Sequence, residues 1–230
     1  MSQIKSKKRV ADHGEVLTNE REVKAMVDLV WDKFPKDKKL TTTYFEPSCG
    51  TGNFLVEILK RKLKILPTSK RKQDAHDCYL ILLVGSIYGI ELLEDNTNEC
   101  RERLFAIVKD YYHEYYPKVN PRSKYYKNLM KAIEIVIIQN IKCGNTLEDT
   151  NKMIFTFWKY ERNNQISRIK QSLASIISSQ KKKDESELFS NEDSQLPKTF
   201  GAVPYEEIIN IEDIPEIEKN LITEYRKNKK

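Results

Sequence analysis

The chain has 230 residues, 39% hydrophobic and 32% charged, which fits one ordinary domain with a tail or two small ones. Its net charge of +6 is uneven: residues 1–160 carry 28 Lys/Arg against 21 Asp/Glu, residues 161–230 carry 12 against 13. That bias is compatible with nucleic acid without requiring it, while no run approaches the roughly 18–20 apolar residues of a membrane helix, so a membrane-spanning segment is excluded and no membrane partner is expected.

Residues 1–12 read as a basic, disordered start with no apolar stretch behind it, so no secretory signal is expected. Asn19–Phe34 reads as an amphipathic helix, with Val23, Met26, Val27, Val30 and Phe34 on one face, Asn19 as N-cap and Glu22 completing a capping-box-like pair. Thr41–Phe45 is β-branched and aromatic, a buried strand. After Glu46-Pro47-Ser48-Cys49-Gly50-Thr51-Gly52 comes a helix from about Asn53 to Leu66, then a basic stretch, Lys60–Lys72, broken at Pro67. Tyr79–Glu91 reads as a helix followed by a strand, Ile87–Glu91. Asp95–Tyr116 is a long helix, and Ile133–Ile141 a third buried strand.

Strands alternating with helices predict an α/β fold with a mainly parallel sheet over residues 13–160. Residues 161–230 read as a linker and a weakly structured tail, with Lys181–Gln195 low in complexity and a short strand and helix possible only in 200–225.

The sharpest chemical signal is Gly50-Thr51-Gly52 between a strand and a helix. Glycines there permit a sharp turn and close approach of a ligand to the backbone, and the helix N-terminus offers free N–H groups to an anion. A dinucleotide fingerprint wants a third glycine where Leu55 stands, and no Gly-Lys-Ser/Thr exists for a P-loop. Glu91 ends the second strand and could accept hydrogen bonds from ribose hydroxyls. The third strand empties into Cys143-Gly144-Asn145-Thr146-Leu147. Each motif ends a successive strand, where open α/β sheets bind ligands. The cysteines Cys49, Cys78, Cys100 and Cys143 are too dispersed for a zinc site or a disulfide framework, so no metal and a reducing cytoplasm are expected.

Glu46-Pro47-Ser48-Cys49-Gly50-Thr51-Gly52-Asn53-Phe54 resembles the cofactor-binding motif of S-adenosylmethionine-dependent DNA methyltransferases, particularly the adenine-N6 enzymes of restriction–modification systems. Upstream, Gly14-Glu15-Val16-Leu17-Thr18 resembles the family's short motif before the first helix, with Asn19 in place of its usual proline. The resemblance spans roughly residues 9–150. It implies a Rossmann-like class I methyltransferase sheet preceded by an N-terminal helix. Gly14, Glu15, Leu17 and Thr18 would cover the methionine end of S-adenosylmethionine. Glu46, Pro47, Ser48, Gly50, Thr51, Gly52, Asn53 and Phe54 would wrap it. Glu91 with Leu92 would hold the ribose side, and Asn145 with Thr146 would meet the adenine.

The family's catalytic (Asp/Asn/Ser)-Pro-Pro-aromatic tetrapeptide occurs nowhere in the sequence; the nearest string is Ala202-Val203-Pro204-Tyr205. No catalytic residue is therefore assigned. In this fold the first strand is central, so a half-sheet leaves Thr41–Phe45 as an open apolar edge that invites pairing. The expectation is a truncated or split DNA methyltransferase, acting on DNA and completed by a second methyltransferase subunit or a second copy. The alternatives are a non-catalytic remnant that binds cofactor, DNA or a partner, and a methyltransferase for another substrate.

The basic run Lys60, Arg61, Lys62, Lys64, Lys70, Arg71 and Lys72 reads as a solvated helix face rather than a phosphate track. Tyr111, Tyr112, Tyr115 and Tyr116, at helical spacing, read as packing residues.

Overall fold

The computed structural model describes residues 5–34, 38–67, 73–184 and 198–210. Three parallel strands, β1 (Tyr44–Glu46), β2 (Ile87–Glu91) and β3 (Ile141–Cys143), lie side by side in that order. All five residues of the middle strand β2 are buried. β1 starts three residues later than expected, because Thr41 and Thr42 close a turn back onto the Lys38 carbonyl.

The N-terminal segment corrects the sequence reading. Instead of a disordered start, α1 (Lys7–His13) begins at Ser6, whose hydroxyl accepts the Arg9 N–H, and ends at Gly14, which takes the left-handed φ of 63°. Its cations reach far along the chain: Arg9 pairs with Asp95 at 2.6 Å and Lys5 with Glu99 at 2.7 Å. These contacts tie down a stretch that has little apolar surface of its own.

α2 (Glu20–Trp31) is capped by Asn19, which accepts the Arg21 N–H. Only Val23 and Val27 of its apolar face are buried; Met26 and Leu29 are 52% and 71% exposed. α3 (Asn53–Ile65) buries Leu55, Ile58 and Leu59 completely. Each such side chain contributes about 1.5–3 kcal/mol of hydrophobic stabilisation. α4 (Gln73–Val84) leads into β2 and starts six residues before the expected Tyr79, whereas α5 (Glu94–Tyr115), which returns from β2, lies close to the sequence expectation.

The stretch Ile133–Ile141 is not a strand. It belongs to α6 (Lys124–Asn140), capped by Ser123, and β-structure starts only at Ile141. A continuous apolar run fits a helix buried all round as well as a buried strand. Here α4, α5, the second sheet and the 3-10 turn Tyr205–Asn210 surround α6, so Ile133, Ile135, Val136, Ile137 and Ile138 are all buried.

Structure continues past residue 160, contrary to the expected weak tail. β4 (Ile154–Glu161) and β5 (Gln165–Ser172) form an antiparallel hairpin, α7 (Leu173–Asp184) follows, and β6 (Lys198–Pro204) pairs with β5. Asn163 and Asn164 make the hairpin turn with φ of 58° and 57°, a left-handed conformation that asparagine tolerates. Phe155, Met153 and Leu173 pack on Tyr88 and Ile90 of the parallel sheet, and the Tyr88 hydroxyl donates to the Thr156 carbonyl at 3.2 Å. Ala202–Pro204 ends β6, and the Tyr205 ring is buried, its hydroxyl donating to that of Tyr125 at 3.1 Å. Residues 185–195 of the low-complexity stretch, and the helix expected before residue 225, lie outside the described residues.

Among the described residues no helix is long and apolar enough to cross a membrane.

Candidate functional site

The loop between β1 and α3 can turn only because of its glycines. Gly50 and Gly52 adopt φ of 53° and 85°, left-handed values that disfavour side chains. A Cβ at Gly52 would stand 2.5 Å from the Cys100 thiol of α5, so the close approach of loop to helix also needs glycine there. The Gly52 carbonyl accepts the Val56 N–H, starting α3 directly behind the loop.

Glu91, at the end of β2, is 7% exposed and joins the strand ends. Its Oε2 accepts the Gly50 N–H at 2.8 Å and its Oε1 the Leu93 N–H at 3.1 Å. The Glu91 carbonyl accepts the Gly144 N–H at 2.9 Å, bringing in the loop after β3. The Thr146 hydroxyl then donates to the Pro47 carbonyl at 2.6 Å, closing the circuit back to the first loop. The three motifs that occur separately along the chain thus meet at the C-terminal ends of the parallel strands. A carboxylate oxygen has more than one lone pair, so Glu91 retains acceptor capacity beyond these backbone bonds.

Residues 14–18 lie across this loop. The Leu17 side chain sits 3.4 Å from the position of a Gly50 Cβ, and the Thr18 carbonyl accepts from the Asn53 amide at 2.9 Å. Glu15 is held by the Arg9 guanidinium and by the Asn96 amide, the latter at 2.6 Å, and Asn96 also reaches Glu91 at 3.4 Å. Burial raises the Glu46 carboxyl above its ordinary range, against the Ser48 N–H that lowers it. Ser48 and Pro47 are exposed, Phe54 packs against the core, and Leu92 is half exposed. Asn145 is turned inward on its own loop: its Oδ1 accepts the Leu147 N–H at 2.9 Å.

Four supporting residues escaped the sequence reading: Arg9, Asn96, Cys100 and Arg103. Arg103 Nη1 donates to the Thr51 carbonyl at 2.6 Å and to Asn53 Oδ1 at 2.8 Å. The neighbouring Cys100 thiol and burial push the Cys49 thiol up from its ordinary range. The available signal was spacing, since Asn96, Cys100 and Arg103 recur at steps of four and three along α5 and share one face.

The basic run is dispersed by the fold. Lys62 is buried, Arg61 pairs with Asp28 and Glu57, and Lys70, Arg71 and Lys72 lie outside the described residues. No group of three or more His, Cys, Asp or Glu side chains among the described residues is placed to hold a metal ion. Comparison of the chain with known protein families, with curated proteins and with solved structures returned no match.

Proposed function

We propose that the loops at the strand ends bind S-adenosylmethionine and that the chain is the cofactor-binding part of an adenine-N6 DNA methyltransferase, on a Rossmann-like class I sheet. The observation that carries the reading is the Glu91 carboxylate holding the Gly50 N–H, with the strap 14–18 lying over the same loop. The residues suit such a group: the glycine loop brings backbone to the strand ends, Glu91 offers an acceptor to a diol, and Leu92 and Val16 are exposed apolar residues of the flanking segments. Gly14–Thr18 would cover the amino-acid end, Glu46–Gly52 would wrap it, and Glu91 would hold the ribose. When bound, S-adenosylmethionine supplies an electrophilic sulfonium methyl. The protein's part is to exclude water from it and hold it in line with an incoming amine.

No residue is assigned to contact the target base. A second polypeptide carrying the Pro-Pro-aromatic motif would pair with β1, which among the described residues is a terminal strand, with Phe45 44% exposed. The alternative, a cofactor-binding protein without transferase activity, shares the same cofactor site.

Calorimetric titration with S-adenosylmethionine tests the reading. We expect saturable binding to the wild-type chain and a loss of at least about tenfold in both Gly50→Asp and Glu91→Ala. Asp at position 50 would set a second carboxylate against Glu91 in a left-handed backbone position. Folded wild-type protein that does not bind, or variants that bind as tightly as wild type, would overturn it.

A further inference from the structure

The far ends of α3 and α5 form a groove of about 750 Å³. Its two walls carry opposite charge. Lys60 and Lys64 stand one turn apart on α3; Asp110 and Glu114 stand one turn apart on α5; all four are exposed. The helices run side by side away from the glycine loop, where Asn53 bonds Arg103 at 2.8 Å, and Lys60, Lys64, Asp110 and Glu114 line the same stretch of groove. Yet no ion pair bridges these four side chains within the described residues, whereas the neighbouring Arg61 is held by Asp28 and Glu57, and Lys24 by Glu20. Between the rows lie Ile107 and the stacked rings of Tyr111 and Tyr115, centroids 5.9 Å apart, all partly exposed.

We infer that this groove is a self-complementary dimerisation surface whose occupant is a second copy of the chain. A two-fold axis along the groove lays α3 of one copy on α5 of the other, running in the same direction. Because both rows line one stretch of the groove, Lys60 and Lys64 then face the acidic row of Asp110 and Glu114 of the second copy, and the same contact forms again across the axis. A two-fold interface uses one patch twice, so it must be complementary to itself, and a wall of cations beside a wall of anions meets that requirement. The aromatic and aliphatic floor supplies the apolar contact, while the charges set register and partner choice. A nucleic acid backbone fits poorly, since its phosphates would meet Asp110 and Glu114 as closely as the lysines. The inference is independent of the cofactor reading: the groove lies at the opposite ends of the two helices from the glycine loop.

Two charge-reversed variants test it. In Lys60→Glu/Lys64→Glu both walls are acidic, and in Asp110→Lys/Glu114→Lys both are basic. Sedimentation equilibrium of the full chain at low ionic strength should give a wild-type dimer. Each variant alone should dimerise at least about tenfold more weakly, because both copies present like charges. An equimolar mixture of the two variants should regain a one-to-one dimer, which higher salt weakens. All four positions are exposed, so the thermal unfolding of each variant should match wild type. A monomeric wild-type chain, variants that dimerise unchanged, or a mixture that stays monomeric would each overturn the inference.

Discussion

Gly14 and Gly52 both adopt left-handed backbone conformations, with φ of 63° and 85°, but their surroundings differ. Around Gly14 an added Cβ meets nothing within 4 Å, whereas at Gly52 it would lie 2.5 Å from the Cys100 thiol, which is itself fully buried. Gly14→Ala should therefore cost only the backbone penalty, about 1–2 kcal/mol. Gly52→Ala should add an overpacking cost of about 1–3 kcal/mol to the same penalty. Urea denaturation midpoints of the two variants read the difference. Equal destabilisation would mean that α5 yields freely to the loop and that the contact does not constrain the site.

At the scale of elements, one side chain of α3 anchors the entry to the parallel sheet. Lys62 is 2% exposed, and its Nζ donates to the Leu40 carbonyl at 3.2 Å and the Thr42 carbonyl at 2.5 Å, and to the Ser86 hydroxyl, at the turns that lead into β1 and β2. With no carboxylate among these partners, burial lowers its pKa to about 7 from 10.5. Between those two values the unfolded chain holds a proton that the folded chain has released, so the Lys62 contribution to stability rises with pH. Below pH 7 both states are protonated and the penalty of the buried charge is complete. Tyrosines such as Tyr111, raised by burial to about 12, act in the opposite sense once the unfolded phenols ionise near pH 10. The buried thiols Cys49 and Cys78, also pushed up, act in that same opposite sense from about pH 8.5, so the difference from a Lys62 variant between pH 7 and 9 is what isolates the lysine. There the wild-type chain should gain stability relative to Lys62→Met by up to about 1.4 kcal/mol per pH unit, as measured by urea unfolding across the pH series. A difference that stays flat would show that the three oxygens keep the ammonium charged inside the fold.

At the scale of the whole molecule, two sheets share one packing interface but leave an edge. Among the described residues β1 ends the parallel sheet, and Phe45 is 44% exposed with its ring edge-on to Phe155 of the second sheet at 5.9 Å. Phe45→Lys places a charge on that edge, a device that discourages strand pairing between chains. It should reduce concentration-dependent light scattering at high salt, where the charged groove is screened. Its stability cost should stay near the value of one aromatic pair, about 0.5–1.5 kcal/mol. Unchanged scattering would mean that the edge plays no part in self-association.

Much of the architecture was legible locally. Asn19 as a cap, the glycine loop, the helix–strand step at Gly85 and the polar end of β2 depend on neighbours in the chain, and each occurs within a few residues of its expected place. The three site loops were legible because each carries turn chemistry that a packed helix or strand would not tolerate. Other features depend on distant residues. Ile133–Ile138 became helical because α4, α5 and the second sheet surround it, and an unbroken apolar run carries no period that distinguishes helix from strand. The α1 segment became ordered through cations meeting Asp95 and Glu99 some 90 positions away. The convergence on Glu91, the burial of Lys62 inside a basic run and the opposed charge rows of α3 and α5 are likewise relations between elements. The sequence by itself determined the kinds of local structure and the glycine loop, because those follow from caps, turns and periodicity. Only the tertiary structure decided which charges are buried, paired or left facing solvent, because that depends on what packs against each face.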